Sequence, residues 1–179
     1  MLKLILAFGI AAGVLVAAPM FTMIVNSGPG SAGHSMVAGY LTMLVGLSLV
    51  FVGVKRYRDR VQGGVIRFAT ALGIGLGISV VASVVYVVGW EATLALTNYD
   101  FVDSYAAGMI EAKRASGATP AEIEKVVAEM ADFRTQYMIP WIRMSYSFVE
   151  IFPVGLLISL ISAALLRNSR LLPARPTPG

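Results

Sequence analysis

The chain of 179 residues contains no cysteine and a single histidine, His34. Without cysteine there are no disulfides, thiolate metal sites or thiol nucleophiles. A metal site would need carboxylates alone, and no HExxH, CxxC or EF-hand spacing occurs. Gly28, Gly30 and Gly33 match a GxGxxG pattern, but they join two apolar runs instead of a strand and a soluble helix. The sequence therefore predicts no cofactor, no metal and no enzymatic activity.

Charged residues are also scarce. Only 13% of residues are charged and 57% are hydrophobic, whereas soluble domains have about 25% charged residues. The apolar residues form four long runs, and a helix of about 20 residues crosses about 30 Å of hydrocarbon. We predict an all-α integral membrane four-helix bundle with spans at about 4–25, 35–54, 66–97 and 141–166. The first run is longer than the core of a signal peptide, so we expect it to be retained.

The basic residues are distributed unevenly along the chain. The loop 26–34 has none, and of the four between 98 and 140 only Arg134 lies near a membrane end. Nine others fall before the first run, between the second and third, or after the fourth: Lys3, Lys55, Arg56, Arg58, Arg60, Arg67, Arg167, Arg170 and Arg175. The positive-inside rule then places both termini, and the loop between the second and third runs, in the cytoplasm. The positive net charge indicates topology and contact with the lipid bilayer, not binding to nucleic acid.

The segment between the third and fourth runs is too long for a simple turn. Its patterning predicts an amphipathic helical hairpin at about 99–138, outside the membrane. Thr119, Pro120 and Glu122 form a capping-box start for its second helix. The apolar face of the hairpin is expected to cap the bundle, and a docking surface for a partner protein is the alternative.

Small residues recur at four-residue spacing along the apolar runs. Lipid does not drive helices together, so close approach through such residues supplies the contact. The stripes predict packing inside the bundle, with a homo-oligomer or a membrane-protein partner as the alternative. The best support for a homo-oligomer is that the third run has two glycine faces, one of them with Gly73 and Gly77.

Four polar residues form the candidate intramembrane site: Glu91, Arg143, Glu150 and His34. Helical rise places Glu91 and Arg143 at similar heights near the outer boundary, where Trp90 and Trp141 would form an aromatic belt. We therefore predict an interhelical Glu91–Arg143 ion pair.

Glu150 lies deeper, about 25 Å above the cytoplasmic end of its helix, where an unpaired charge is costly. Pro153 follows three residues later and frees a backbone carbonyl. Glu150 is expected to be hydrogen-bonded or protonated and to fix helix packing. The alternative is a carboxylate that handles protons or cations in a water-filled cavity, with His34 as a titratable neighbour.

Three segments together resemble a known family: KRYRDRVQGG, ASGATPAEIEK and FVEIFPVGLLISLISAALLR. The chain is similar over residues 3–167 to the bacterial membrane family called domain of unknown function 4199. The resemblance implies a small four-span bacterial membrane protein, which we expect in the inner membrane, and carries over no activity, substrate or catalytic residue. We expect one membrane domain over residues 1–168 and a disordered cytoplasmic tail over residues 169–179.

Two functional hypotheses follow. The first is a non-enzymatic membrane protein that serves assembly or partner binding through its hairpin and small-residue faces. The second is a small transporter or channel component that moves protons or cations through a site at Glu150.

Reporter fusions test the predicted orientation. A reporter that is active only in the cytoplasm should be active when fused after Arg60 and inactive when fused within the hairpin, because basic loops stay inside. The reverse pattern of reporter activity would contradict the topology and the depth argument for Glu150.

Overall fold

In a computed structural model of the chain, residues 1–27 and 36–173 are described, and within them the fold is all-helical with no strand. The described residues form six helices: α1 (Leu2–Ser27), α2 (Met36–Val61), α3 (Phe68–Leu96), α4 (Phe101–Ala115), α5 (Pro120–Tyr137) and α6 (Pro140–Leu166). His34 lies outside the described residues.

Four of the helices are long and apolar enough to cross a membrane. The qualifying segments are Leu2–Ile24, Gly39–Val61, Phe68–Leu96 and Pro140–Leu166, with 23, 23, 29 and 27 residues. At about 1.5 Å per residue each exceeds the thickness of the hydrocarbon layer. The predicted fold class is confirmed: four long apolar helices with a helical hairpin between the third and the fourth.

The second helix extends further than the apolar run. The run was expected to end at about residue 54, but α2 continues through the basic segment to Val61. A Lys55–Asp59 ion pair at i,i+4 spacing and two arginines in the last turn stabilise this extension. The turn follows at Gly63 and Gly64, whose φ values of 63° and 92° favour glycine.

The third helix occupies the centre of the bundle. It packs most extensively on α1 and α6 and less on α2, while α2 packs on α1 and α6. Helices α2 and α3 are therefore diagonal partners, although only a short turn joins them. Chain connection alone did not predict which pairs are the closest neighbours.

Helices α3 and α6 approach through a reciprocal pattern of small residues. A Cβ on Gly75 would lie 2.9 Å from the Cβ of Ser159, and a Cβ on Gly155 would lie 2.8 Å from the Cβ of Ser79. Ser159 donates to the Gly155 carbonyl at 2.7 Å, and its oxygen lies 3.0 Å from the Ser79 oxygen. Since Ser159 has one proton, Ser79 is the donor between the two hydroxyls. Each glycine makes room for the serine of the other helix.

Helices α1 and α3 also approach closely, at Gly9 and Gly13. A Cβ on these residues would lie 2.5 Å and 2.6 Å from the Cβ atoms of Val81 and Val85. On the second glycine face of α3, Gly77 faces α1 at 3.1 Å from the Ile5 side chain. The face proposed for a homo-oligomer is thus partly used within the bundle, and the oligomer stays a prediction.

The hairpin α4–α5 packs on one end of the bundle, which we call the hairpin end. The capping box is present: the Glu122 carboxylate accepts from the Thr119 backbone N–H at 2.8 Å, and this contact holds the pKa of Glu122 below its usual range. Gly117, with φ of 75°, lies in the turn between the two helices. A buried cluster joins the hairpin to α1 and α3: Ile24, Trp90, Leu94, Val102 and Tyr137.

At the opposite end of the bundle, Arg58 forms hydrogen bonds to the segment that follows α6. Its side chain is fully buried, and it donates to the carbonyls of Leu171 and Leu172 and to Asp59. The tail was expected to be disordered from residue 169, and Arg58 contacts two of its carbonyls, those of Leu171 and Leu172. Residues 174–179 lie outside the described residues.

The reciprocal contact between α3 and α6 can be tested with two glycine variants that lie two residues apart on α3. Gly75→Ala should destabilise the bundle by about 1–3 kcal/mol relative to Gly73→Ala, because overpacking displaces Ser159. Gly73 has no atom within 4 Å of a built Cβ, so its variant controls for the gain in helix propensity. Unfolding in mixed detergent micelles measures both. Equal stabilities would contradict the close approach of α3 and α6.

Candidate functional site

The predicted ion pair between α3 and α6 is confirmed. Arg143 donates from Nε and Nη2 to the two carboxylate oxygens of Glu91 at 2.7 Å and 2.6 Å. The side chains are 4% and 19% exposed. Bidentate geometry of this kind is among the stronger charge-assisted arrangements in proteins. The arginine is therefore neutralised by a carboxylate on the neighbouring helix.

Arg143 also holds the hairpin. Its Nη1 donates to the backbone carbonyl of Tyr137 at 3.0 Å, at the end of α5. Its guanidinium lies 5.1 Å from the ring centroid of Tyr99, which follows α3. Tyr99 and Asn98 have φ values of 62° and 51°, a conformation that costs free energy for residues other than glycine. The cation–π contact to Tyr99 helps to offset that cost.

Trp90 has a different role from the one expected. Its indole N–H donates to the Tyr137 hydroxyl at 2.7 Å, and each of these residues is only 6% exposed. Burial raises the pKa of Tyr137 to about 12, so this hydroxyl is neutral at physiological pH. Trp141 is 71% exposed, as a residue of an aromatic belt would be. The expectation that both tryptophans form a belt is wrong for Trp90, which packs under the hairpin.

Glu150 does not join the ion pair. Its carboxylate accepts one long hydrogen bond, 3.5 Å from the Tyr86 hydroxyl, and within the described residues it has no cationic partner. Thr22, at a similar height, donates to carbonyls of its own helix. The proposed neighbour His34 is outside the described residues. Glu150 remains exposed to a cavity at the hairpin end.

This cavity, which we call the aromatic cavity, has a volume of about 260 Å³ and lies between the hairpin and α1, α3 and α6. Seven of its ten lining residues are aromatic. The lining residues are Met20, Tyr86, Trp90, Phe101, Tyr105, Phe133, Tyr137, Tyr146, Ser147 and Glu150.

The three candidate residues that the structure describes thus do not form one cluster. Glu91 and Arg143 satisfy each other, and Glu91 borders a separate recess of about 560 Å³ with Val84 and Phe148. Glu150 borders the aromatic cavity. Within the described residues, no three His, Cys, Asp or Glu side chains are grouped to hold a metal.

Sequence reasoning missed the aromatic cavity, although a signal was present. Phe101 and Tyr105 are four residues apart on α4, and Phe133 and Tyr137 are four apart on α5. Four-residue spacing puts each pair on one helix face, and the rings meet: Tyr105 and Phe133 have centroids 5.8 Å apart. Aromatic pairs on both arms of a hairpin indicated a shared aromatic wall.

The core on the other side of Glu150 is tightly filled. Ile151, Ile78 and Ser159 are buried with at most 1% exposure, and the Ser79–Ser159 contact lies in the same α3–α6 seam. The α3–α6 seam is therefore packed and does not itself offer a path for ions.

The sequence matches a known family model over most of its length. The family model described as protein of unknown function (DUF4199) matches residues 7–168. The chain belongs to this family. The DUF4199 match includes Glu91, Arg143 and Glu150 and most of the six helices. No curated protein and no solved structure gives a significant match.

Replacing one arginine in each of two ion pairs compares how much a buried pair and an exposed pair contribute to stability. Arg143→Met should lower the free energy of unfolding by about 3–5 kcal/mol, because it leaves the Glu91 carboxylate without its partner. Arg134→Met removes the exposed pair with Asp103, 3.1 Å apart and more than half exposed, and should cost about 0–1 kcal/mol.

Detergent unfolding curves compare the two variants, and the double variant Arg143→Met with Glu91→Leu should recover part of the loss. Similar losses for Arg143→Met and Arg134→Met would show that the buried pair does not hold the hairpin end together.

Proposed function

We propose that the chain is a multi-pass inner-membrane protein with cytoplasmic termini, which acts without catalysis and presents its hairpin to a basic segment of another membrane protein. The observation that carries this proposal is the attachment of the hairpin. Arg143 contacts Glu91 on α3 and Tyr137 on α5, so the hairpin is fixed to the bundle instead of moving as a lid.

The outward side of the hairpin carries the acidic residues that would attract a basic partner. Residues 98–140 contain seven acidic and four basic residues. Glu124, Ala128 and Asp132 recur at four-residue spacing on α5, and all three are exposed. Complementary charge guides partners together and selects against wrong ones, so this acidic stripe favours a basic partner. It also disfavours contact with an anionic lipid surface.

The non-catalytic part of the proposal rests on composition. A chain with no cysteine and one histidine offers few of the groups that act as nucleophiles or general bases. The filled seam next to Glu150 favours partner binding over transport of protons or cations. It does so because a transport path needs polar groups or water on both sides of a central site.

Photo-crosslinking in native membranes tests the hairpin surface. A photoreactive residue at Ala128 should give one discrete adduct with another protein. The charge reversals Glu124→Lys and Asp132→Lys together should reduce the yield of this adduct about tenfold, because like charges then face each other. The same photoreactive residue at Val45, which is 68% exposed on α2, serves as the control and should not give this adduct.

An adduct that joins only two copies of this chain would replace the proposed partner with a homo-oligomer. An adduct that is unchanged by the charge reversals would contradict the acidic stripe as its cause. A proton or cation flux in proteoliposomes that Glu150→Gln abolishes would favour transport instead.

A further inference from the structure

The aromatic cavity brings together rings from both helices of the hairpin and from two helices of the bundle. It is lined by seven of the 17 aromatic residues in the chain, and these seven come from four different helices. Tyr105 and Tyr146 are 38% and 46% exposed, so the cavity has open aromatic surface. Aromatic faces attract cations through their negative electrostatic potential, most strongly where water is excluded.

One carboxylate faces the same space. Among the described residues, Glu150 is the only charged one that lines the cavity, and it has no basic partner there. The nearby guanidinium of Arg143 is already paired with the Glu91 carboxylate. An unpaired carboxylate in a largely apolar setting is costly, and a bound cation would remove that cost.

The residues that line the cavity determine which kind of cation fits it. Hard metal ions take about six to eight oxygen ligands, and here one carboxylate is accompanied mainly by rings. A volume of about 260 Å³ is slightly smaller than a pocket for a drug-sized ligand, which begins at about 300 Å³. A small organic cation with apolar substituents meets both conditions, since its charge faces Glu150 and its substituents contact the rings.

We propose that the aromatic cavity binds an alkylammonium group, carried either by a small solute or by the headgroup of a lipid. Glu150 neutralises the charge, and the rings of α3, α4, α5 and α6 surround the substituents. The site is independent of any partner on the outward face of the hairpin, because the cavity lies on the inward side.

Binding can be followed through Trp90, which lines the cavity. In a Trp141→Phe background Trp90 is the only tryptophan, and Trp141 does not line the cavity. Choline should change the Trp90 fluorescence saturably in nanodiscs of phosphatidylglycerol, a lipid whose headgroup carries no amine. The neutral analogue 3,3-dimethylbutan-1-ol has nearly the same shape and should bind at least about tenfold more weakly.

Three variants separate the contributions. Glu150→Gln should weaken choline binding by about tenfold or more, since a charge-assisted contact is lost. Tyr105→Leu should weaken it about three- to thirtyfold through the lost cation–π contact. Glu111→Gln changes an exposed carboxylate on α4 outside the cavity and should leave the affinity unchanged. Helix content and unfolding temperature check each variant, and Tyr105→Leu tests the site if Glu150→Gln does not fold.

Lipid composition distinguishes the two sources of the ammonium group. If a lipid headgroup is the ligand, phosphatidylethanolamine in the nanodiscs will weaken the apparent affinity for choline. If a solute is the ligand, the affinity will be the same in both lipids. The proposal is overturned if choline gives no saturable response in phosphatidylglycerol, if the neutral analogue binds equally well, or if neither Glu150→Gln nor Tyr105→Leu weakens binding.

Discussion

The buried guanidinium of Arg143 is the interaction on which the hairpin end depends. It lies between three parts of the chain: Glu91 on α3, the carbonyl of Tyr137 at the end of α5, and the ring of Tyr99 after α3. A buried charge is tolerated only when its partners are complete. These contacts therefore specify where the hairpin begins and ends relative to the apolar helices, and the Trp90–Tyr137 hydrogen bond completes the junction.

The attached hairpin encloses the aromatic cavity between itself and the ends of the apolar helices. The rings of α4 and α5 face the ends of α3 and α6, and the Glu150 carboxylate borders the gap between them. Because Arg143 already has its carboxylate, it does not neutralise Glu150, although both lie on α6. Glu91 thus has a structural partner, whereas Glu150 has no cationic partner among the described residues. In our proposals the outward acidic stripe binds a partner protein and the inward cavity binds a cation.

The bundle below is held by close backbone approach. Lipid gives no hydrophobic driving force between helices, so van der Waals contact and short hydrogen bonds must supply the attraction. Gly75 and Ser79 on α3 meet Ser159 and Gly155 on α6, which brings the two helices together and satisfies both hydroxyls. The serines of this seam are fully buried, and none of these four residues lines the aromatic cavity.

Several features followed from the sequence alone, since they depend on local or one-dimensional patterns. Length and hydrophobicity predicted the four long helices, Thr119 and Glu122 predicted the start of α5, and helical rise predicted the pairing of Glu91 with Arg143. Tertiary structure decided the rest. Three features depend on residues that are far apart in the chain. They are the diagonal placement of α2 and α3, the burial of Trp90 under Tyr137, and the hydrogen bonds from Arg58 to the segment after α6. Periodicity gives the face and height of a side chain on its own helix, but only packing determines which helix that face meets.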